Sequence, residues 1–142
     1  MKRANCGAVL ALVACGAIWG SAVPAQDFTT AAEVRPILTA TKANWIALRE
    51  YEGRDLLYFT QLESWRCGLS EVRYGVNGAA PAVWPLGDCV AGTGQSPNAI
   101  MPDTQLYTSF DLGAVAEVTV TVVYDDGSED SATYARAAVL MP

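Results

Sequence analysis

The stretch from Ala116 to Tyr124 constrains the fold more than any other part of the chain, because apolar and polar side chains alternate along it. Its apolar set consists of Ala116, Val118, Val120, Val122 and Tyr124. Successive side chains of a β-strand point to opposite sides of the sheet, so this alternation predicts a strand with one buried face. Asp125-Asp126-Gly127-Ser128 then predicts a tight turn, and residues 132–139 are the predicted returning strand of a hairpin.

Shorter stretches with β-type composition occupy much of the remaining chain. Further strands are predicted at residues 45–51, 56–60, 71–76 and 106–110, with a short one near residues 83–84. Asn77-Gly78 is a strong turn signal. Nine glycines and prolines fall between residues 75 and 103, and this density predicts long connections there.

A short helix is predicted before the strands, over about residues 30–41. Thr30 and Glu33 have the spacing of a capping box, and apolar residues then recur at helical intervals. Pro36 falls just past the first turn, where it is expected to remove a backbone hydrogen bond or bend the helix.

Residues 1–25 have the organisation of a secretory signal peptide. Lys2 and Arg3 are followed by an apolar stretch and then by small residues up to Ala25. The apolar stretch is shorter than the roughly 20 residues that span a bilayer. We therefore expect cleavage after Ala25, which leaves residues 26–142 as a single periplasmic or secreted domain.

Leu12-Val13-Ala14-Cys15 supports an alternative, since it is similar to the lipobox of bacterial lipoproteins, in which the cysteine is lipidated. Cleavage before Cys15 would leave a short signal, so the soluble form is favoured. The chain leaves the cytoplasm in both cases. No later stretch is long and apolar enough for a transmembrane helix.

The cysteine content fits an oxidising compartment. Cys6 and Cys15 lie in the predicted signal, which leaves only Cys67 and Cys89 in the mature domain. Two cysteines in an exported domain most simply form one disulfide. Two thiolates without histidine make at most half of a zinc site, and the chain has no C-x-x-C redox motif.

Together, six or seven short strands, one helix and one disulfide predict a mainly β fold. The expected architecture is an antiparallel immunoglobulin-like β-sandwich with a short N-terminal helix. A small closed β-barrel is the alternative.

The histidine content and the charge exclude several classes of function. The chain has no histidine, so it cannot build a Ser-His-Asp or Cys-His nucleophile system or an imidazole metal site. Nine Lys and Arg against fifteen Asp and Glu give a net charge of −6, which becomes −8 once Lys2 and Arg3 leave with the signal. Nucleic acid and anionic membranes are bound through clustered Lys and Arg, so neither is expected as a partner.

Two clusters of acidic residues are candidates for chemistry. They are Glu50, Glu52 and Asp55 at the first predicted turn, and Asp125, Asp126, Glu129 and Asp130 at the hairpin. A carboxylate pair can act as general acid and base in a hydrolase, and calcium takes six to eight oxygen ligands. However, exposed acids are ordinary at turns, and the hairpin lacks the spacing of an EF-hand loop. We therefore predict solvated charges, with no catalytic residue, metal or cofactor.

The candidate binding surface lies around the connection that the two cysteines enclose. It comprises Trp65, Arg66, Asn77 and Trp84. Tyr and Trp are common anchors of binding surfaces, although core packing is expected to claim most of the aromatic residues. Trp84 lies within the Gly/Pro-rich connection and is the aromatic residue most readily placed outside the core.

The expected function is a non-enzymatic exported module that binds a protein or glycan of the cell envelope or assists envelope assembly. The first alternative is an inhibitor of a basic secreted hydrolase, which the acidic charge would attract. The second alternative is a carboxylate-dependent hydrolase that uses acids of the two clusters.

Overall fold

The computed structural model describes residues 16–17, 19–21, 26–90, 92 and 94–142. Cys15 and most of the predicted signal peptide lie outside the described residues. In the described part of the chain, no helix is both long enough and apolar enough to cross a membrane.

Within these residues the fold is mainly β, with seven strands and three short helices. In chain order the elements are α1 (Ala31–Ala40), β1 (Ala47–Tyr51), β2 (Arg54–Tyr58), α2 (Thr60–Glu63), β3 (Leu69–Val76), β4 (Ala82–Trp84), β5 (Tyr107–Asp111), β6 (Glu117–Tyr124), β7 (Glu129–Ala135) and α3 (Arg136–Val139). Two 3₁₀ turns, Lys42–Asn44 and Arg66–Gly68, lie between them. Each strand predicted from the sequence overlaps an observed strand.

The strands form two antiparallel sheets. Sheet A has the order β1-β2-β5, and sheet B has the order β4-β3-β6-β7. The prediction of a mainly β, antiparallel two-sheet fold is therefore confirmed. Neither sheet closes on itself in the described part of the chain, so the β-barrel alternative is wrong.

The two sheets and α1 share one hydrophobic core. The apolar side of β6 is buried as its alternation predicts, at Val118, Val120, Val122 and Tyr124. Leu48 and Leu57 of sheet A and Val34 and Leu38 of α1 belong to the same cluster. Burying this apolar surface is the main favourable contribution to folding, at about 25 cal/mol per Å².

Helix α1 begins with the capping box that Thr30 and Glu33 predict. The backbone N–H of Glu33 and the Thr30 side chain are hydrogen bonded, and the Glu33 carboxylate accepts from the Thr30 backbone N–H. Asp125 also accepts a hydrogen bond of 2.8 Å from the first backbone N–H of the helix, at Ala31. The helix packs on the second 3₁₀ turn, where Gly68 leaves room for Val34.

The last strand differs from its prediction. β7 spans Glu129–Ala135 rather than residues 132–139, and residues 136–139 form α3. The reason is that the chain leaves sheet B at Arg136 and crosses to sheet A. There the Met141 backbone N–H donates to the Leu48 carbonyl at 2.7 Å, along the edge of β1.

Candidate functional site

The four residues of the predicted binding surface do not form a surface. Trp84 is only 1% exposed and Arg66 only 2%, so neither side chain can contact a partner in this fold. Trp65 is half-buried and Asn77 is exposed. The prediction of a surface role is therefore wrong for Trp84 and Arg66.

Trp84 is buried because its ring and its polar atom both have partners inside the domain. β4 pairs with β3, which turns the indole towards the core, where it stacks on Phe59 with ring centroids 4.1 Å apart. The indole N–H donates to the Glu63 carboxylate at 2.8 Å. A buried Trp usually needs such an acceptor.

Arg66 organises the long connection between β4 and β5. Its guanidinium donates five hydrogen bonds of 2.8–3.0 Å to four backbone carbonyls, those of Glu63, Asp88, Asn98 and Ala99. Its Nε also lies 3.8 Å from the buried Glu63 carboxylate. Sequence reasoning missed Glu63, although its spacing of three residues from Arg66 was an available signal.

Asn77 also has a structural role. Asn77 has a φ of 54° and Gly78 a φ of 75°, which produces the predicted tight turn after β3. The Asn77 amide donates to the Ala114 carbonyl at 2.7 Å and accepts from the backbone N–H groups of Ala116 and Glu117. The side chain therefore ties this turn to the start of β6.

Cys67 and Cys89 form the predicted disulfide, with Cα atoms 5.6 Å apart. Asn98 accepts from the Cys67 backbone N–H at 2.9 Å and donates to the Phe28 carbonyl at 2.9 Å. The disulfide and the Asn98 side chain therefore hold the same connection that Arg66 organises.

The acidic cluster at the first turn is not fully solvated, contrary to its prediction. Asp55 is buried and accepts two hydrogen bonds from Arg136 and one from the Val115 backbone N–H. Glu50 accepts a third hydrogen bond from Arg136. The Arg136 guanidinium holds the pKa of Asp55 well below its usual range. This is the opposite of the raised pKa that a general acid needs.

The acids of the hairpin are exposed or half-exposed, and three of them form ion pairs at the surface. Asp126 pairs with Arg35, Asp130 with Lys42 and Glu129 with Arg73. Asp125 instead binds the first backbone N–H of α1. In the described part of the chain, no group of three or more Cys, Asp or Glu side chains could hold a metal ion.

The outward side of sheet A carries an aromatic surface, which we name the tyrosine face. Leu48 and Leu57 point into the core, so their neighbours along each strand point outward. Strand pairing places the outward residues in three rows: Ala47-Tyr58-Tyr107, Arg49-Leu56-Ser109 and Tyr51-Arg54-Asp111. From standard strand dimensions, these rows cover about 10 Å across the strands and about 14 Å along them.

The rings of the tyrosine face are held in defined positions. The rings of Tyr58 and Tyr107 lie 5.1 Å apart between centroids, and the Arg49 guanidinium lies 4.7 Å from the centroid of the Tyr51 ring. Tyr51 is 46% and Tyr107 48% exposed, which is high for aromatic side chains in a sheet. The tyrosine face therefore presents aromatic surface to solvent.

A cleft of about 400 Å³, which we name the end cleft, opens beside Tyr58. Residues that line it include Asn44, Ala47, Tyr58, Thr60, Gln61 and Met141. Tyr58 belongs to both the cleft and the tyrosine face, so a ligand on the first row of the face could extend towards amide and hydroxyl groups.

The outward side of sheet B has a different character. Its side chains pair with one another across the strands: the Thr119 and Thr133 hydroxyls lie 3.0 Å apart, and those of Thr121 and Ser131 lie 2.7 Å apart. Arg73 pairs with two acids on this side. Since these polar groups are already paired, sheet B offers little for a ligand, and the tyrosine face is the candidate site.

Comparison with known proteins finds no matching family model, curated protein or solved structure. Sequence reasoning also missed the tyrosine face. The alternation of Arg49 and Tyr51 with Leu48 was an available signal, but aromatic residues in strands usually belong to the core.

Proposed function

We propose that this protein is a non-enzymatic exported domain that binds a glycan on its tyrosine face. The observation that carries the proposal is the exposure of Tyr51 and Tyr107 in a sheet face whose third tyrosine, Tyr58, also borders the end cleft. Aromatic side chains exposed in this way are typical anchors of binding surfaces.

The chemistry of the tyrosine face suits a sugar ring. The face of an aromatic ring is electron-rich, and it attracts the slightly positive C–H groups on one side of a pyranose. The hydroxyl groups at the sugar's edge need hydrogen-bond partners, which tyrosine hydroxyls and the amides of Asn44 and Gln61 can provide. A few polar groups beside an apolar platform are the usual composition of a small-ligand site.

The carboxylates support a non-enzymatic role over a hydrolase. Two acids, Asp55 and Glu63, are buried. Asp55 accepts hydrogen bonds from Arg136, and Glu63 accepts one from the Trp84 indole and lies within ion-pair distance of Arg66. A hydrolase of this type needs one carboxyl group with a raised pKa and a second one across the substrate. The pKa of Asp55 is lowered by Arg136, which opposes the first of these roles.

The strand order supports an immunoglobulin-like sandwich as the finer description of the fold. The seven described strands form a three-stranded sheet with the order β1-β2-β5 and a four-stranded sheet with the order β4-β3-β6-β7. This is the order of a constant-type immunoglobulin domain with its fourth strand moved to the opposite sheet. The disulfide differs from the usual one, because it joins the two connections that flank β3 and β4 rather than the two sheets.

Export is supported by the signal-like residues 1–25 and by the disulfide. Intact mass of the protein made from the full chain tests this part of the proposal. We expect a soluble species that begins at Gln26. A species that begins at a lipid-modified Cys15 and partitions with membranes would replace the soluble form by the lipoprotein alternative.

Glycan binding can be tested on an array of neutral and acidic oligosaccharides with the exported protein. We expect binding to a defined subset of glycans, and we expect Tyr107→Ala to weaken it by about tenfold or more while the melting temperature is retained. Val83→Ala is the matched control, because Val83 is 60% exposed on the outward side of sheet B. Binding to no glycan, or equal loss in both variants, would contradict the proposal.

A further inference from the structure

Arg49 differs from the other cations of the domain. Among the described residues it is the one Lys or Arg with no carboxylate within ion-pair distance and no hydrogen bond from its side chain. The cations that do pair with acids are Arg35, Lys42, Arg54, Arg66, Arg73 and Arg136. In a chain with fifteen acidic residues and nine basic ones, an unpaired arginine is an exception.

The position of Arg49 is also specific. It lies in the middle row of the tyrosine face, between the row of Tyr58 and Tyr107 and the row of Tyr51. Its guanidinium lies against the Tyr51 ring at 4.7 Å. A stacked guanidinium keeps its N–H groups at its edge, where they can bind a planar carboxylate with two parallel hydrogen bonds.

We infer that the glycan bound on the tyrosine face contains an acidic sugar, whose carboxylate pairs with Arg49. This inference rests on the proposed function, since it names the class of ligand for the same site. One sugar ring stacks on the first row of tyrosines, and the carboxylate of the same or the adjoining ring reaches the middle row.

The charge distribution favours a glycan with few carboxylates over a polyanion. Arg49, Arg54 and Asp111 give the tyrosine face a local charge of +1, whereas the exported chain, without Lys2 and Arg3, has a net charge of −8. The net charge repels a polymer with an acid on every residue. A single unpaired cation matches a single acidic sugar within an otherwise neutral oligosaccharide.

The inference is tested by calorimetric titration of the exported protein with two acidic probes and their neutral counterparts. The probes are sialyllactose and aldotetraouronic acid, which carries one glucuronate on a xylose chain. Each is compared with its own carboxyl methyl ester, which retains the shape of the sugar and removes the charge. We expect at least one acidic probe to bind about tenfold tighter than its ester, as a charge-assisted hydrogen-bond pair allows.

Three variants distinguish a direct contact between Arg49 and the sugar carboxylate from a general effect of the protein's net charge. Arg49→Gln should abolish the preference for the acid form, and Arg49→Lys should retain part of it. Arg35→Gln is the matched control, because it removes the same charge from a residue bound to Asp126 in the β6–β7 turn. It should keep the full preference. Both Arg49 variants should retain the parent melting temperature because Arg49 is exposed, and Arg35→Gln should lower it by at most a few degrees because the Arg35–Asp126 pair is exposed.

Each contrary outcome has a distinct meaning. Equal binding of acid and ester, with loss of both in Tyr107→Ala, overturns the acidic-sugar inference and leaves the proposed glycan binding intact. Loss of the preference in Arg35→Gln also overturns the inference, because the preference would then reflect net charge. If neither probe nor ester binds, the inference is wrong, and the glycan array decides separately whether the proposed function is wrong as well.

Discussion

Arg136 and Asp55 form a bidentate ion pair that joins the two sheets. Arg136 Nη1 donates to Asp55 Oδ2 at 2.6 Å, and Arg136 Nη2 donates to Asp55 Oδ1 at 2.9 Å. Asp55 lies in β2 of sheet A and is fully buried, whereas Arg136 follows β7 of sheet B. Arg136 also donates to the Val115 carbonyl at 2.8 Å. Removing Arg136 would therefore leave a buried carboxylate without its counter-ion.

We expect Arg136→Gln to lower the free energy of unfolding by about 3–5 kcal/mol, the usual cost of removing one partner of a buried pair. Arg35→Gln is the control, because both members of the Arg35–Asp126 pair are exposed by 40% or more. Breaking that pair should cost at most about 1 kcal/mol. Urea unfolding at pH 7 measures both values, and similar losses in the two variants would contradict a special role for Arg136.

The same pair should make stability depend on pH in the acid range. The pKa of Asp55 is lowered in the folded state, chiefly by the hydrogen bonds from Arg136. The stabilisation is therefore fully present above the unfolded-state pKa of about 3.9 and is lost as the pH falls towards the folded-state pKa. We expect the stability difference between the parent and Asp55→Asn to be constant above about pH 5 and to shrink between pH 4 and pH 2.

The comparison of parent with variant is needed because Asp126 also has a lowered pKa, about 2, owing to hydrogen bonds from Ser128 and Arg35. Both proteins contain Asp126, so its contribution cancels in the difference. Urea unfolding at several pH values provides the measurement. A stability difference that stays constant down to pH 2 would show that Asp55 does not titrate as the ion pair requires.

The disulfide should stabilise the fold by restricting the unfolded chain. Cys67 and Cys89 are separated by 22 residues, which corresponds to about 3.4 kcal/mol in the chain-entropy estimate. We expect Cys67→Ala with Cys89→Ala to be exported, to melt well below the parent and to be cleaved first by protease between Gly75 and Asp103. Two free thiols in the denatured, unreduced parent would contradict the prediction, because they would show that Cys67 and Cys89 are not joined by a disulfide.

The strands, the turns and the helix cap could be predicted because their signals are local. The alternation from Ala116 to Tyr124 has the two-residue period of a strand. Asn77-Gly78 indicates a turn with positive φ angles, a backbone conformation that few residues other than Asn and Gly adopt. The spacing of Thr30 and Glu33 similarly reports a helix start. Each of these patterns is determined by residues within a few positions of one another.

The burial of polar groups could not be predicted because it depends on distant parts of the chain. In the sequence, Asp55 looks like an exposed acid of a turn. Its burial depends on Arg136, which lies 81 residues later in the chain and donates to it in the folded structure. In the sequence, Trp84 looks like an exposed aromatic residue of a loop. Its burial is explained only by the Glu63 carboxylate, which accepts the hydrogen bond of the indole N–H. The tyrosine face has the same origin, since only the pairing of β5 with β2 brings Tyr107 beside Tyr58.

The buried Glu63 provides the last prediction, which concerns the connection between β4 and β5. Its carboxylate is fully buried and accepts hydrogen bonds from the Trp84 indole at 2.8 Å and from the Gly87 backbone N–H at 3.2 Å. It also lies 3.8 Å from Arg66. Glu63→Ala would leave an indole N–H without an acceptor and a buried guanidinium without its counter-ion.

We expect Glu63→Ala to lower the free energy of unfolding by about 3–5 kcal/mol. Glu63→Gln should cost less, because the amide oxygen can still accept from Trp84 although the charge facing Arg66 is lost. Glu71→Ala is the matched control, since Glu71 is a half-exposed acid in an ion pair on the outward side of sheet B, and it should cost at most about 1 kcal/mol.

Limited proteolysis of the same variants identifies where the loss occurs. Arg66 donates to the carbonyls of Asp88, Asn98 and Ala99, and its Nε lies 3.8 Å from the Glu63 carboxylate, so we expect loss of that carboxylate to weaken these contacts. Cleavage in Glu63→Ala should therefore begin within residues 85–105, with the disulfide still formed. Cleavage that begins elsewhere, or a stability loss no larger than that of Glu71→Ala, would show that Glu63 does not hold this connection through Arg66.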